Sequence, residues 1–181
     1  MRFELDTVVL RRPEPEDVNE LILYRNDPRV TGLLGGFSTG YSRQDLRDWV
    51  ERHRTASREV LLVIADRDSN RCLGHVGLYN IDHRVRSAEF AILIGDRESW
   101  GKGIGQAVSR AMLRYGIEEL NLHRIHLEVL ATNERAIHLY TKLGFCSEGL
   151  LRHAQFRNGR YVDVMIMSIL ETEFRSSQTI P

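Results

Sequence analysis

The sequence predicts an α+β domain built on a largely antiparallel sheet, and three observations carry that expectation. Residues 60–65, 72–80 and 87–94 are successive β-rich runs separated by the short polar segments DRDSN and DHR, the pattern of an antiparallel meander. Residues 104–120 then show helical spacing, with Ile104, Val108, Ala111 and Tyr115 on one face. The chain closes on two strand-like runs joined at Asn158-Gly159, a hairpin signal because both residues accept the positive φ of a type I′ turn.

Taken in order, residues 8–11 read as a short strand ended by Pro13 and Pro15, and Val18, Leu21 and Ile22 give helical spacing over 17–25. A second helix covers 43–54. Between the helices lies TGLLGGFSTG, residues 31–40, whose four glycines among apolar residues read as a mobile flap rather than a linker; Phe37 and Tyr41 would add aromatic surface to it. After the meander and the long helix come a strand over 124–130 and a helix over 134–143 stopped by Gly144. There is no repeat or low-complexity segment. Residues 1–174 read as one domain and 175–181 as a frayed tail.

Composition narrows the function classes. The 181 residues hold 42% hydrophobic side chains, enough for a proper core, and Lys plus Arg balance Asp plus Glu at 25 each. No net field favours nucleic acid or an anionic membrane, and neither partner is expected. Lys102 and Lys142 are the only lysines. Cys72 and Cys146 lack metal-site spacing and disulfide density, which fits a reducing compartment, the cytoplasm. No apolar segment reaches the roughly 18 residues of a spanning helix, so export and membrane insertion are not expected. His123 and His126 straddle a loop–strand junction without a third ligand, and no metal is expected.

The stretch SWGKGIGQAV sets Gly101, Gly103 and Gly105 directly before the long helix. Helix N-termini present N–H groups without intrahelical partners, so a glycine approach can cradle an anion; it can equally be a tight strand-to-helix turn. Spacing rejects two familiar cradles. A triphosphatase loop needs Ser or Thr after Gly-Lys, and a dinucleotide fingerprint needs glycine at 106, where this chain has Gln106.

Further on comes HLEVLATNERAIHLYTKLGF, a strand, a polar turn and a short helix. With WGKGIG at 100–105 and Asn133, Tyr140, Gly144 and Phe145 in this second motif, the sequence over residues 87–168 resembles the GNAT superfamily of acyl-CoA-dependent N-acetyltransferases. It looks closest to bacterial spermidine acetyltransferases and ribosomal-protein N-terminal acetyltransferases. The resemblance implies a mixed, mostly antiparallel sheet with helices on both faces, and acetyl-CoA as cosubstrate. It also implies that main-chain groups of Trp100, Gly101, Lys102, Gly103, Ile104, Gly105 and Gln106 take the pyrophosphate. Ile92, Leu93 and Ile94 would pair with the pantetheine amides, and Asn133 would hold the cofactor's arm. Side chains at 101, 103 and 105 would then obstruct the diphosphate. Trp100 stands where the family usually has Gln or Arg.

A protonated amine must lose a proton before attacking a thioester, and the departing thiolate leaves more readily if it gains one. The resemblance makes Tyr140 the acid, although pattern alone also reads it as a core aromatic beside Ala136 and Ile137. Glu128, inside the apolar strand RIHLEVL, is the first candidate base, on the expectation that burial raises its proton affinity; facing solvent or pairing with Arg124 is the alternative. Glu89 is the rival base, and a water chain with no single base is the third alternative. The acceptor is a polyamine, a protein N-terminal amine or an amino-sugar, with Asp45, Asp48 and Glu51 available to form an acidic channel. A homodimer through the terminal hairpin is compatible with this reading, and a non-catalytic acyl-CoA-binding domain is the alternative.

Overall fold

The computed structural model describes residues 2–35 and 40–178. Strands β1 (Arg2–Glu4) and β2 (Val8–Arg11) open the chain, followed by helices α1 (Val18–Asn26), α2 (Pro28–Thr31) and α3 (Arg43–Thr55). The meander β3 (Val60–Asp66), β4 (Cys72–Asp82) and β5 (Ser87–Ile94) leads to α4 (Ile104–Arg114). Then come β6 (Arg124–Leu130), α5 (Glu134–Lys142), the hairpin β7 (Cys146–Arg157) and β8 (Arg160–Leu170), and α6 (Glu171–Gln178). The sheet order is β1-β2-β3-β4-β5-β6-β8-β7, and every pairing is antiparallel except β5 with β6.

Strand alternation sorts the core onto both faces. Along β3, Leu62 and Ile64 pack with α4 residues Val108 and Met112 in the larger cluster, whereas Leu61, Val63 and Ala65 pack with Leu21 of α1 and Leu46 and Trp49 of α3. Where Pro13 and Pro15 end the β2 run, the buried Arg11 forks onto both oxygens of Asp17 at 2.8 Å. The long helix expected over 104–120 is α-helical to Arg114 and continues as a π-helical segment over Tyr115–Glu119. There Gly116 presses against Ile125 and Leu78, where a Cβ would come within 2.9 Å of the Ile125 side chain. Asn158 and Gly159 adopt φ of 49° and 78° between the paired Arg157 and Arg160, the expected two-residue turn.

From Arg175, where fraying was expected, the chain continues as α6 to Gln178, with Phe174 buried against the sheet. Of the expected flap, residues 36–39, Phe37 among them, lie outside the described residues, as do the last three of the tail.

Candidate active site

The site begins where the sheet comes apart. β5 and β6 pair only through Ser87↔Arg124, Ala88↔Ile125 and Glu89↔His126. Beyond that point β5 stays registered with β4 as far as Ile94, and β6 with β8 as far as Leu130, so the two strands diverge and leave their facing edges open. The Gly95 N–H donates to Leu73 of β4. By strand alternation the main-chain groups of Leu93 turn the same way, and those of Ile92 and Ile94 face the opening. Leu93 is therefore occupied by the sheet, contrary to the expectation that all three residues would offer amides. The carbonyl of Ile94 is also engaged, because the Trp100 indole N–H donates to it at 2.8 Å. Trp100 thus pins the glycine loop to the strand, and the Arg135 guanidinium sits 5.6 Å from its ring centre.

The loop shows what the alternate glycines are for. Gly101 and Gly103 have φ of 82° and 79°, and a Cβ at either would meet no protein atom within 4 Å. Their backbone turn needs glycine and the space beside it is open. Gly103 caps α4 without any side-chain bond, and the first helical bond is from Ala107 to Gly103 at 3.1 Å. From Gly101 to Gln106 the main-chain N–H groups have no partner among the described residues, at the positive end of an 11-residue helix. Gly105 differs from its expected role. A Cβ there would sit 3.4 Å from Leu139 and 3.5 Å from Ile94, ordinary contact distances, so Gly105 lines the cavity beside α5 and β5 rather than facing open space as Gly101 and Gly103 do. The Lys102 side chain is exposed and lies outside the cavity wall.

Tyr140 is fixed by the end of α5. Gly144, at φ 98°, lets its own N–H reach Thr141 and that of Phe145 reach Tyr140, both at 3.0 Å, a Schellman closure. This folds Phe145 back onto Tyr140, with ring centres 5.7 Å apart, while Phe90 meets Tyr140 edge-on at 6.2 Å. The ring is 8% exposed, and burial pushes the phenol up to about 12. Its hydroxyl has no hydrogen-bond partner among the described residues.

A cavity of about 880 Å³ runs through the opening and brings together Glu89, Ile92, Gly103, Gln106, Glu128 and Tyr140. Ile125, Leu127 and Val129 join Phe90 and Tyr140 in the larger core, so alternation turns Glu128 to the opposite face, the face shared by Glu89 and its neighbour His126. Glu128 is exposed, so the burial expected of it is absent. Arg124 pairs with Glu148 at 2.5 Å instead, and with Ser168 this holds the Glu148 carboxyl down at about 2. Glu89 is half-buried and accepts from Asn80 at 3.0 Å.

Asn133 lines the cavity but serves the fold. Its oxygen accepts from Ala136 at 3.2 Å as the α5 cap, and its amide donates to Leu33 at 3.1 Å. Leu33, Leu34 and Gly35 of the expected flap do form cavity wall, whereas Tyr41 accepts from Arg25. The acidic channel expected from α3 is not delivered. Asp45 caps the helix with Ser42, Asp48 accepts from Gln44 and Glu51 pairs with Arg54, all on its exposed side. Arg25 and His75 line the cavity without any sequence signal, since only the packing of α1 on β4 brings them there. Among the described residues no group of three or more His, Cys, Asp or Glu side chains is placed to hold a metal.

Residues 7–146 match the model of the acetyltransferase (GNAT) domain family. The chain belongs to the GNAT acetyltransferases. It is 33% identical over 176 residues to spermidine N(1)-acetyltransferase of Escherichia coli K12, covering 97% of this chain and 92% of that one. It is 28% identical to YdaF of Bacillus subtilis, provisionally named a ribosomal N-acetyltransferase, over 94% of this chain and 95% of that one. The crystal structure of spermidine N-acetyltransferase from Vibrio cholerae in complex with CoA and spermine superposes with a TM-score of 0.83 at 32% identity, covering 93% of this chain and 98% of that one. As a GNAT enzyme the chain is an acetyl-CoA-dependent N-acetyltransferase. The parted strands and uncapped α4 start fit that cosubstrate: an extended amide-bearing arm needs an open strand edge, and a diphosphate needs free N–H donors. No helix among the described residues is long and apolar enough to cross a membrane.

Proposed function

We propose that this chain transfers the acetyl group of acetyl-CoA to a primary amine of a polyamine by direct attack on the thioester. The observation that carries the reading is the parting of β5 and β6 beside the start of α4, with Tyr140 on one face of the opening and Glu89 and Glu128 on the other. The N–H groups from Gly101 to Gln106 would take the pyrophosphate, and Arg135 adds a positive charge near it. Ile92 would pair with the pantetheine arm through its open edge, with Asn133 bordering the arm as the α5 cap. Acetyl-CoA supplies the activated acyl group when bound; the chain supplies position and protons.

An aliphatic ammonium has a pKa of about 10, so the acceptor arrives charged. Glu128 takes its proton, and Glu89 is the second carboxylate facing the cation. The amine then adds from the carboxylate face, and the thiolate departs toward Tyr140, which burial keeps protonated at neutral pH. Two facts support a polyamine acceptor: the named substrate of relatives at about one-third identity, and the paired carboxylates on the face by which the amine enters. Residues 1–174 act as one domain in this reading. The free thiols Cys72 and Cys146 suit the cytoplasm, and the exposed Leu150, Leu151, Phe156 and Tyr161 of the terminal hairpin suit a homodimer.

The test is thiol release from acetyl-CoA with spermidine, spermine, peptides with free N-termini and aminoglycosides. Amine-dependent release should be fastest with the polyamines. Release no faster with any amine than without would return the chain to an acyl-CoA-binding role, and preference for peptides would replace the acceptor.

A further inference from the structure

Part of the cavity wall is a short segment that the rest of the fold holds by its main chain. Val30, Leu33, Leu34 and Gly35 line the cavity from this segment, which has little structure of its own beyond α2. Three of its carbonyls receive side-chain donors from the terminal hairpin and from the start of α5. The Arg157 guanidinium gives one N–H to Thr31 at 3.3 Å and another to Leu34, across 126 and 123 residues of chain. Asn133, the α5 cap, donates to Leu33 at 3.1 Å.

Arg157 is set to do this by the local structure. It is the last residue of β7, registered opposite Arg160 across the tight Asn158-Gly159 turn, so its Cα has little freedom, and Gln155 of the same strand also lines the cavity. A guanidinium is a rigid fork that can hold two carbonyls at once, and its hydrogen bonds are roughly twice as strong as neutral ones. A lysine offers the same charge as a point and cannot span both.

From this clasp we infer that Arg157 is a positioning residue for the acceptor: it ties residues 31–34 to the terminal hairpin and so completes the acceptor wall. The inference rests on the acetyl-transfer reading, since the wall matters only if an amine binds there. Loosening the clasp weakens acceptor binding, while the cofactor cradle at α4, built from other residues, is unaffected.

The experiment compares wild type, Arg157→Gln and Arg157→Lys, with spermidine as the amine. Arg157→Gln should raise the acceptor KM about tenfold, with kcat and acetyl-CoA affinity each within about twofold, and Arg157→Lys should recover part of the loss. In the ligand-free protein, amide exchange over residues 30–35 should quicken about tenfold in Arg157→Gln, while exchange in β3 and β4 stays as in wild type. An unaltered acceptor KM would overturn the inference, as would an acetyl-CoA affinity that falls in parallel or exchange that quickens throughout the sheet, both of which mark a general role in folding. If no amine is turned over by wild type, the polyamine reading fails; exchange over 30–35 then judges the clasp alone, and unchanged exchange overturns it.

Discussion

Tyr140 carries two properties that ordinarily conflict: it is packed between Phe90 and Phe145 as a core aromatic would be, yet it lines the cavity and its hydroxyl has no hydrogen-bond partner among the described residues. Periodicity could read only the first property, because a helix face records burial and says nothing of where the ring's polar end emerges. Tyr140→Phe should therefore leave the fold and acetyl-CoA affinity intact and lower kcat by about 10²-fold or more, the range of acid–base catalysis. Single-turnover kinetics beside a binding titration checks this, and a wild-type rate would remove Tyr140 from the mechanism. Other residues were harder to read. Glu128 was legible as a carboxylate in an apolar strand, but its exposure depends on β5 and β6 parting, which no local pattern encodes. Arg124 finds Glu148 rather than Glu128 because β6 and β7 both flank β8, a neighbourhood set by strand order. Trp100 stands out in the sequence as a departure from the family pattern; its bond to Ile94 follows from the loop folding back on the strand, which spacing alone does not show.

At the level of elements, α1, α3, α4, α5 and the meander were legible because each is long enough to show its own period, and the Asn-Gly turn because its chemistry is local. The three-residue β1 and four-residue α2 fall below that length, and α6 has a buried face only because Phe174 reaches the sheet. The packing of α1 on β4 has a measurable consequence. Arg25 lies 3.1 Å from the His75 imidazole, which must accept and therefore stay neutral; burial first, then the charges of Arg25 and His53, push His75 down to about 3. The unfolded chain titrates near 6.5, so below that pH it binds a proton that the folded chain refuses. This contribution is fully present above about pH 6.5 and fades as pH falls toward 3. Thermal melts of wild type should lose Tm between about pH 6.5 and 5, above the carboxylate range, and His75→Gln should show a flatter profile over that interval. Parallel profiles for the two proteins would show that His75 does not titrate differently on folding.

For the molecule as a whole, the family match over residues 7–146 ends at the first residue of β7, yet the rest of the hairpin lines the cavity through Gln155 and holds residues 31 and 34 through Arg157. In the proposed reading the fold divides the work: α4 and the opened edge of β5 would address the cofactor, and α1, α2 and the hairpin would border the acceptor. The proposed cofactor half is legible from glycine spacing and family motifs. The acceptor half is not, because its residues come from segments far apart in sequence. Calorimetric titration of acetyl-CoA into wild type and Gly103→Ala probes the half on which all else depends. A Cβ at Gly103 meets no protein atom, so the substitution acts through its left-handed backbone, worth about 1–2 kcal/mol, and through the ligand space. Wild type should bind one acetyl-CoA per chain, and Gly103→Ala should bind it at least about tenfold more weakly. No heat of association with wild type, or equal affinity in the two proteins, would contradict the assignment of the α4 start as the coenzyme's anchor.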